Sequence, residues 1–592
     1  MEGKPEQVRI ENTIEPVETP SSPYLSQKDV PLVLKQAHEN NFHIHLGWRS
    51  WLIIFLTCFC LMAQVFVVTA AGQVLAFIVR DLGEPNSDRN TEISGWIIQG
   101  PLLMQSIFSP TVGRLSDVLD RKYMSSIPPL FAFAGAVISA KAQNMSMLIG
   151  GSILIGITLS TAPIIHAIQA EVLPLKYRAV ANAFSFIGAS VGSIAGGLGA
   201  GALTSRSADG WRGVFWIQAA LHAVTALGFL LFYWPTPHPD YPKMSLKELA
   251  WECDPFGSFF FISSSALLLL AFDWAGGTYH WKDPHVAAPL GLGCALMVCF
   301  ILYEWKGRKD GLVSHVFFQS GPNFPVGVLG FTVEGWIFYS AVNSVVPQQI
   351  LHLGFEPTAW RISIRQLAYA FPSLATSLAI SAWATKKRDL TRPLFITFGL
   401  FLVGVVCYAT LKPGQSKAQI VYTVIVGMGQ AGPLTLLVPL VQFTAPHAFL
   451  STASGLAYSG RAMGGAFGSA VLNAIINNHL NKNLARSVGS AATKAGLPQS
   501  SVSKLMKAMA AGKAQQIQAV PGINNAILQA ATHASQEVYA RAYNLGWWSI
   551  FPFVVICMIG LCFLRGVKEL MTEKVEATVE KIKQQEKGEE RA

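Results

Sequence analysis

Charge is scarce in this chain. Only 13% of its 592 residues are Asp, Glu, Lys or Arg, while 51% are hydrophobic. Soluble proteins carry roughly 25% charged residues. A soluble enzyme of this composition would have to hide far too much apolar surface. Cysteine is also sparse and unpatterned. Cys58, Cys60, Cys294, Cys299, Cys407, Cys557 and Cys562 lie in apolar stretches, and Cys253 lies beside one. None has the spacing of a zinc or redox motif, so the reading is small packing residues. No nucleophile–base set, metal cluster or cofactor loop is visible, which argues against an enzyme and calls for no metal and no cofactor. The formal charge is +10. The basic residues sit in short runs between apolar segments instead of clustering with aromatics, so nucleic acid is not a partner. Residues Met1 to Gly47 are polar and carry no signal peptide.

Long apolar runs are abundant instead. A bilayer-spanning helix needs about 20 such residues. The runs fall near 50–79, 93–112, 125–140, 147–168, 180–203, 213–233, 256–273, 286–304, 325–346, 364–384, 393–411, 418–442, 455–477 and 546–564. The fold class is therefore an all-α polytopic membrane protein with fourteen transmembrane helices. An even count puts both ends on one side. The cytoplasm is assigned to the side where Arg114, Arg121, Lys122, Lys176, Arg178, Lys386, Lys387, Arg388 and Arg392 gather.

The basic turns after spans 2 and 10 correspond if spans 1–6 and 9–14 form matching six-helix bundles. Spans 7 and 8 are then an insertion. This divides the chain into a disordered cytoplasmic tail (1–49), a first bundle (50–233), a linker with helices 7 and 8 (234–324), a second bundle (325–566) and a second cytoplasmic tail (567–592). Residues 478–545 read as a long extracellular loop, with a short amphipathic helix around Ser501 to Ala511. Loops this long are usually functional or disordered, and a lid or vestibule is one reading. The single N-x-[ST] site, Asn144-Met145-Ser146, is a possible glycosylation site in a short outside loop.

Three patterns carry more information. Gly113-Arg114-Leu115-Ser116-Asp117-Val118-Leu119-Asp120-Arg121-Lys122 ends span 2. A carboxylate beside a tight basic turn can pin neighbouring helices through charge-assisted bonds. Gly188, Gly192, Gly196 and Gly197 lie in span 5, where small residues four apart let helix backbones touch. Trp211-Arg212-Gly213-Val214-Phe215 opens span 6, with Arg212 as an anchor at the outer interface.

The first pattern resembles motif A of the major facilitator superfamily, with Gly113, Asp117, Arg121 and Lys122 at the gating positions. It departs at Asp120, where the family has Gly. The second resembles motif C of the drug:proton antiporters, with Ser193 in place of the usual Pro. The third resembles the W-R-x-x-F signature of the fourteen-helix antiporters. The motif B Arg is absent, Ser152 standing in its place, so coupling through it does not carry over. Gly460-Arg461-Ala462-Met463-Gly464-Gly465, with Val520-Pro521-Gly522 and Val538-Tyr539-Ala540-Arg541, looks like the fungal trichothecene efflux pumps and their siderophore-transporter relatives. The resemblance implies a major facilitator fold and a proton-driven exporter that confers self-protection against a mycotoxin. It would act as a monomer in the plasma membrane, with a vacuolar or vesicle membrane as the other location. Its partners would be the lipid bilayer, protons and a bulky amphipathic cargo. Import of ferric siderophores is the alternative.

Ionisable groups inside a membrane are costly and are site candidates by default. Glu334 can exchange a proton, sit at an interface, or pair with Arg365. Arg461 can hold a cargo oxygen, pair with a carboxylate, or only pack. Asp273 ends span 7 and reads as interfacial. His166 and His222 read as packing histidines. Gln64, Gln73, Gln99, Gln105 and Gln430, with Trp96, Trp336, Tyr339, Tyr369 and Phe371, are candidates for lining a largely apolar cavity.

Overall fold

A computed structural model describes residues 47–82, 96–119, 121–173, 175–207, 209–235, 245–275, 279–319, 321–511 and 517–571. The greater part of both tails, Asp120 and the side chain of Gln73 lie outside the described residues. Fourteen helical rods follow one another: α1 Trp48–Leu82, α2 Trp96–Val118, α3 Arg121–Ala140, α4 Met145–Val172, α5 Arg178–Arg206, α6 Gly210–Phe232, α7 Pro255–Ala275, α8 Pro284–Gly307, α9 Asn323–His352, α10 Ala359–Lys387, α11 Thr391–Ala409, α12 Ser416–Thr444, α13 Leu450–Lys494 and α14 Asn525–Leu561. Among the described residues, twelve helices are long and apolar enough to cross a membrane. The other two rods, α2 and α13, fall short of that test. They pack on each other, so their polar groups meet protein instead of lipid.

The packing repeats itself. In the first six helices α1 packs on α5, α2 on α4, and α3 on both α4 and α6. In the last six α9 packs on α13, α10 on α12, and α11 on both α12 and α14. The two sets meet along two seams, α2 with α13 and α5 with α10, while α7 and α8 pair with each other. Small residues permit the close approaches. A Cβ on Gly188 or Gly192 would land on the carbonyl of Cys58 or Met62 in α1. A Cβ on Gly464 would strike the Thr332 carbonyl of α9.

Three departures from the sequence reading have local causes. α4 breaks at Ser160–Thr161, ahead of Pro163 in the first turn of its second half. α9 runs as a π-helix from Trp336 to Val345. The segment 478–545 is largely helical and not a loop. α13 continues to Lys494 and α14 starts at Asn525, while the helix expected around Ser501 to Ala511 is present as Gln499–Ala511. Val488, Ala492, Leu497, Leu505, Ile527 and Ala531 give this extension a small core of its own. At 45 residues, α13 is about 68 Å long, over twice the roughly 30 Å hydrocarbon thickness.

Candidate functional site

The end of α2 is tied to the start of α13. Asp117 is 2% exposed. Its carboxylate accepts the N–H groups of Ser451 (3.0 Å) and Thr452 (2.8 Å) and the Thr452 hydroxyl (2.7 Å). Those N–H groups belong to the first turn of α13, where the helix dipole favours an anion. Arg121 donates to Asp117 (3.0 Å) and pairs with Glu171 at the end of α4. Gly113 is needed because a Cβ there would meet the Ser451 carbonyl. Arg114 is fully buried and holds both the carbonyl and the carboxylate of Glu252, just ahead of α7. Burial lifts the Glu252 carboxyl above its ordinary range; Asp310 adds to this and Arg308 opposes it. Lys122 lies over the Trp234 ring at 2.8 Å. This basic end is thereby closed.

The α2–α13 seam runs on from there. A Cβ on Gly455 would meet the Ser109 carbonyl, and the Ser459 hydroxyl donates to the Ser106 carbonyl at 2.5 Å. Beside the other seam α5 also meets α12: Arg178 donates to the Gln442 carbonyl (3.1 Å), and Asn182 to those of Leu434 and Thr435.

A cavity of about 720 Å³ opens between the two sets, toward the end remote from Asp117. Trp96 and Gln99 from the start of α2 line it, with Tyr408 from the end of α11 and Thr423 from the start of α12. Gly197, Asn343, Gln366, Tyr369 and Asn473 complete the polar and small-residue wall. Asp273 also lies on this wall, half-buried, beside Phe272. It reaches this wall because α7 packs against α2 and α13.

Glu334 and Arg461 form a buried ion pair between α9 and α13. Glu334 is 0% exposed and Arg461 7%. Arg461 Nε bonds Glu334 Oε2, and its Nη2 reaches Oε1 at 3.0 Å. Gln430 of α12 also donates to Glu334 Oε1. The guanidinium lies about 5 Å from the rings of Phe331, Phe338 and Tyr339. A charge pair taken out of water holds only when its remaining valences are met, as they are here. The expected Glu334–Arg365 pair is not formed. Arg365 is committed at the far end to Glu356 (3.1 Å), Gln419 and Ser416.

The remaining candidates fall in several places, and Gln64, Trp336 and Phe371 differ from the sequence reading. Gln64 is buried in the first set, donating to the Thr158 carbonyl (2.9 Å) and Thr161 (3.1 Å). Trp336 packs between Phe467 and Phe553 and does not line the cavity. Phe371 faces outward, 57% exposed. His222 is buried in α6. Asn144 caps α4, its side chain accepting from Met147 N–H at 2.8 Å. Arg212 donates to the carbonyls of Ala140 and Ala142 and faces Asp81 at 3.7 Å.

The sequence reading missed the pairing of His166 with Tyr458, 2.6 Å apart across the two sets. Tyr458 stands one helical turn before Arg461, on the same face of α13, and that spacing was the available signal.

Known proteins agree with this architecture. Residues 54–469 match the model of the Major Facilitator Superfamily. The MFS-type transporter prx5 of Penicillium rubens is 26% identical over 577 residues, 94% of this chain and 96% of that protein. The trichothecene efflux pump TRI12 of Fusarium sporotrichioides is 21% identical over 529 residues, covering 87% and 86%. Among solved structures, the proton:xylose symporter XylE bound to 6-bromo-6-deoxy-D-glucose superposes with a TM-score of 0.50 at 13% identity. The match covers 86% of this chain and 97% of that one, and it speaks to fold alone. Two six-helix sets around a central cavity and a family match over most of the chain lead to one conclusion: the chain belongs to the Major Facilitator Superfamily, a multi-pass membrane transporter of small-molecule cargo and not an enzyme.

Proposed function

We propose that this transporter is a proton-coupled exporter of a bulky, amphipathic fungal secondary metabolite of trichothecene type, giving self-protection. It resides in the plasma membrane with both chain ends in the cytoplasm. The observation that carries the reading is the buried Glu334–Arg461 pair beside a cavity closed at its basic end. A buried carboxylate paired with a cation is a group that can take up and release a proton during transport, which a coupled carrier needs. The cavity falls within the roughly 300–1,000 Å³ usual for drug-sized ligands and mixes aromatic walls with a few polar groups. That TRI12 and a second relative, roqT of Penicillium rubens, are efflux pumps supports export. Alternating access follows from rocking α1–α6 against α9–α14 about the two seams, with the Asp117 contacts breaking as the basic end opens.

The test is flux in proteoliposomes of the full-length protein under an imposed pH gradient. A tritiated trichothecene and a radioiron-labelled siderophore are run side by side. Uphill movement of the trichothecene, lost on collapsing the gradient, is expected. Siderophore movement without trichothecene movement would replace export by iron uptake.

A further inference from the structure

The geometry points to Tyr339 as the coupling residue: its hydroxyl is a clasp through which the Glu334–Arg461 pair holds the two helical sets together. This rests on the proton-coupled reading above.

Tyr339 meets three things at once. Its side chain lines the cavity. Its hydroxyl accepts from Arg461 Nη1 at 3.0 Å. The same hydroxyl donates to Gln105 Oε1 of α2, in the other set, at 3.3 Å. Gln105 in turn donates to the Leu159 carbonyl at the break in α4. The backbone is arranged for this placement. Tyr339 lies inside the π-helical stretch of α9, and such stretches recur at functional sites. Its ring sits over Gly465 of α13, where a Cβ would come within 2.7 Å of the ring.

The hydrogen bonds impose a direction. A hydroxyl that accepts from a guanidinium turns its own proton away, toward Gln105. While Glu334 is ionised, Arg461 stays seated between Glu334 and Tyr339, and the clasp is made. When Glu334 takes up a proton, its carboxylate becomes a neutral acid, and Arg461 keeps its charge but loses its anionic partner. The guanidinium leaves its seat and the Tyr339–Gln105 bond opens; the α2–α13 seam keeps the Ser459–Ser106 bond and the Asp117 contacts but loses its tie at the cavity end, so it opens more easily. The other groups facing this site are Gln430 from α12, Tyr369 from α10, and Tyr458 from α13 with His166 of α4 behind it. None of these makes the bond to Gln105.

The test needs no cargo, because the proton is the ligand. Full-length protein in phosphatidylcholine nanodiscs is followed by hydrogen–deuterium exchange at about pH 5.5 and about pH 8, each corrected for the intrinsic exchange rate. The reporter is the start of α13, whose Ser451 and Thr452 N–H groups bond Asp117. In the unaltered protein this segment should exchange about tenfold faster at the acid pH. Tyr339→Phe keeps the ring but removes the clasp, and should exchange fast at both pH values. Gln105→Leu, on the other side of the same bond, should do the same and serves if Tyr339→Phe fails to fold. The double variant should be no faster than either single one. An unchanged pH ratio in either variant, or slow exchange at both pH values, overturns the clasp. Glu334→Gln should also be fast at both; a retained pH response there overturns the link to this carboxylate. Absence of any pH response in the unaltered protein would instead remove the proton-coupled reading itself.

Discussion

Glu334 and Arg461 show how strongly one residue's meaning depends on its partner. Each is an ionisable group in an apolar helix, and each stands out in the sequence. Their pairing does not, because it depends on α9 and α13 touching through Gly335 and Gly464. Removing one partner strands the other away from water, which typically costs about 3–5 kcal/mol. Arg461→Met alone should therefore lower the melting temperature markedly in detergent. Adding Glu334→Leu should recover much of that loss, since two apolar side chains leave no buried charge. The recovered double variant should still fail to move cargo against its gradient. A double variant no more stable than Arg461→Met would mean that the pair is not the source of the penalty.

Helices carry the next level of specification. In α5 the four glycines of the antiporter-like pattern split into two kinds. Gly188, Gly192 and Gly196 face α1, where an added methyl would overlap Cys58, Met62 and Thr69 or Phe66. Gly197 has nothing within 4 Å of that position and lines the cavity. Gly192→Ala should thus destabilise by about 1–3 kcal/mol through overpacking, measured as lost thermal stability and yield. Gly197→Ala should melt as the unaltered protein does and change only the apparent KM for cargo. Equal melting of the two variants would refute the division.

Most element positions were legible as apolar runs of membrane length; α2 and α13, which fall short of that test, were marked by shorter runs and their Gly- and Arg-bearing motifs. What stayed hidden had no apolar signature. The π-helical stretch of α9 keeps the same residues in the same order and only re-aims them. The extension of α13 past 477 is too polar to read as a span, yet Val488, Ala492 and Leu505 give it a packed face. Gln64 and Trp336 were plausible cavity residues by type, but helix rotation decided otherwise, and a sequence does not fix rotation for an apolar rod.

At the scale of the whole molecule, the two seams decide which end is open. The basic end is sealed by Asp117 on the first turn of α13 and by Arg121 between Asp117 and Glu171. The far end holds the cavity. The α2–α13 seam has this carboxylate lock; across α5 the described ties are from Arg178 and Asn182 to carbonyls of α12. The lock should therefore set the balance between the two open forms. Hydrogen bonds to a charged group contribute about 1.5–3 kcal/mol net, and a loss near 2 kcal/mol moves a two-state balance about thirtyfold. Asp117→Ala should consequently shift the protein toward the form open at the basic end. The measurement is alkylation of Asn473→Cys, on the cavity wall, by a membrane-impermeant maleimide added outside intact cells. The exposed Cys294, Cys299 and Cys562 are first replaced by Ser. Labelling should be rapid with Asp117 present and many-fold slower in Asp117→Ala, because the cavity then faces the other side. Equal labelling rates would show that the lock only strengthens the fold and does not choose the face.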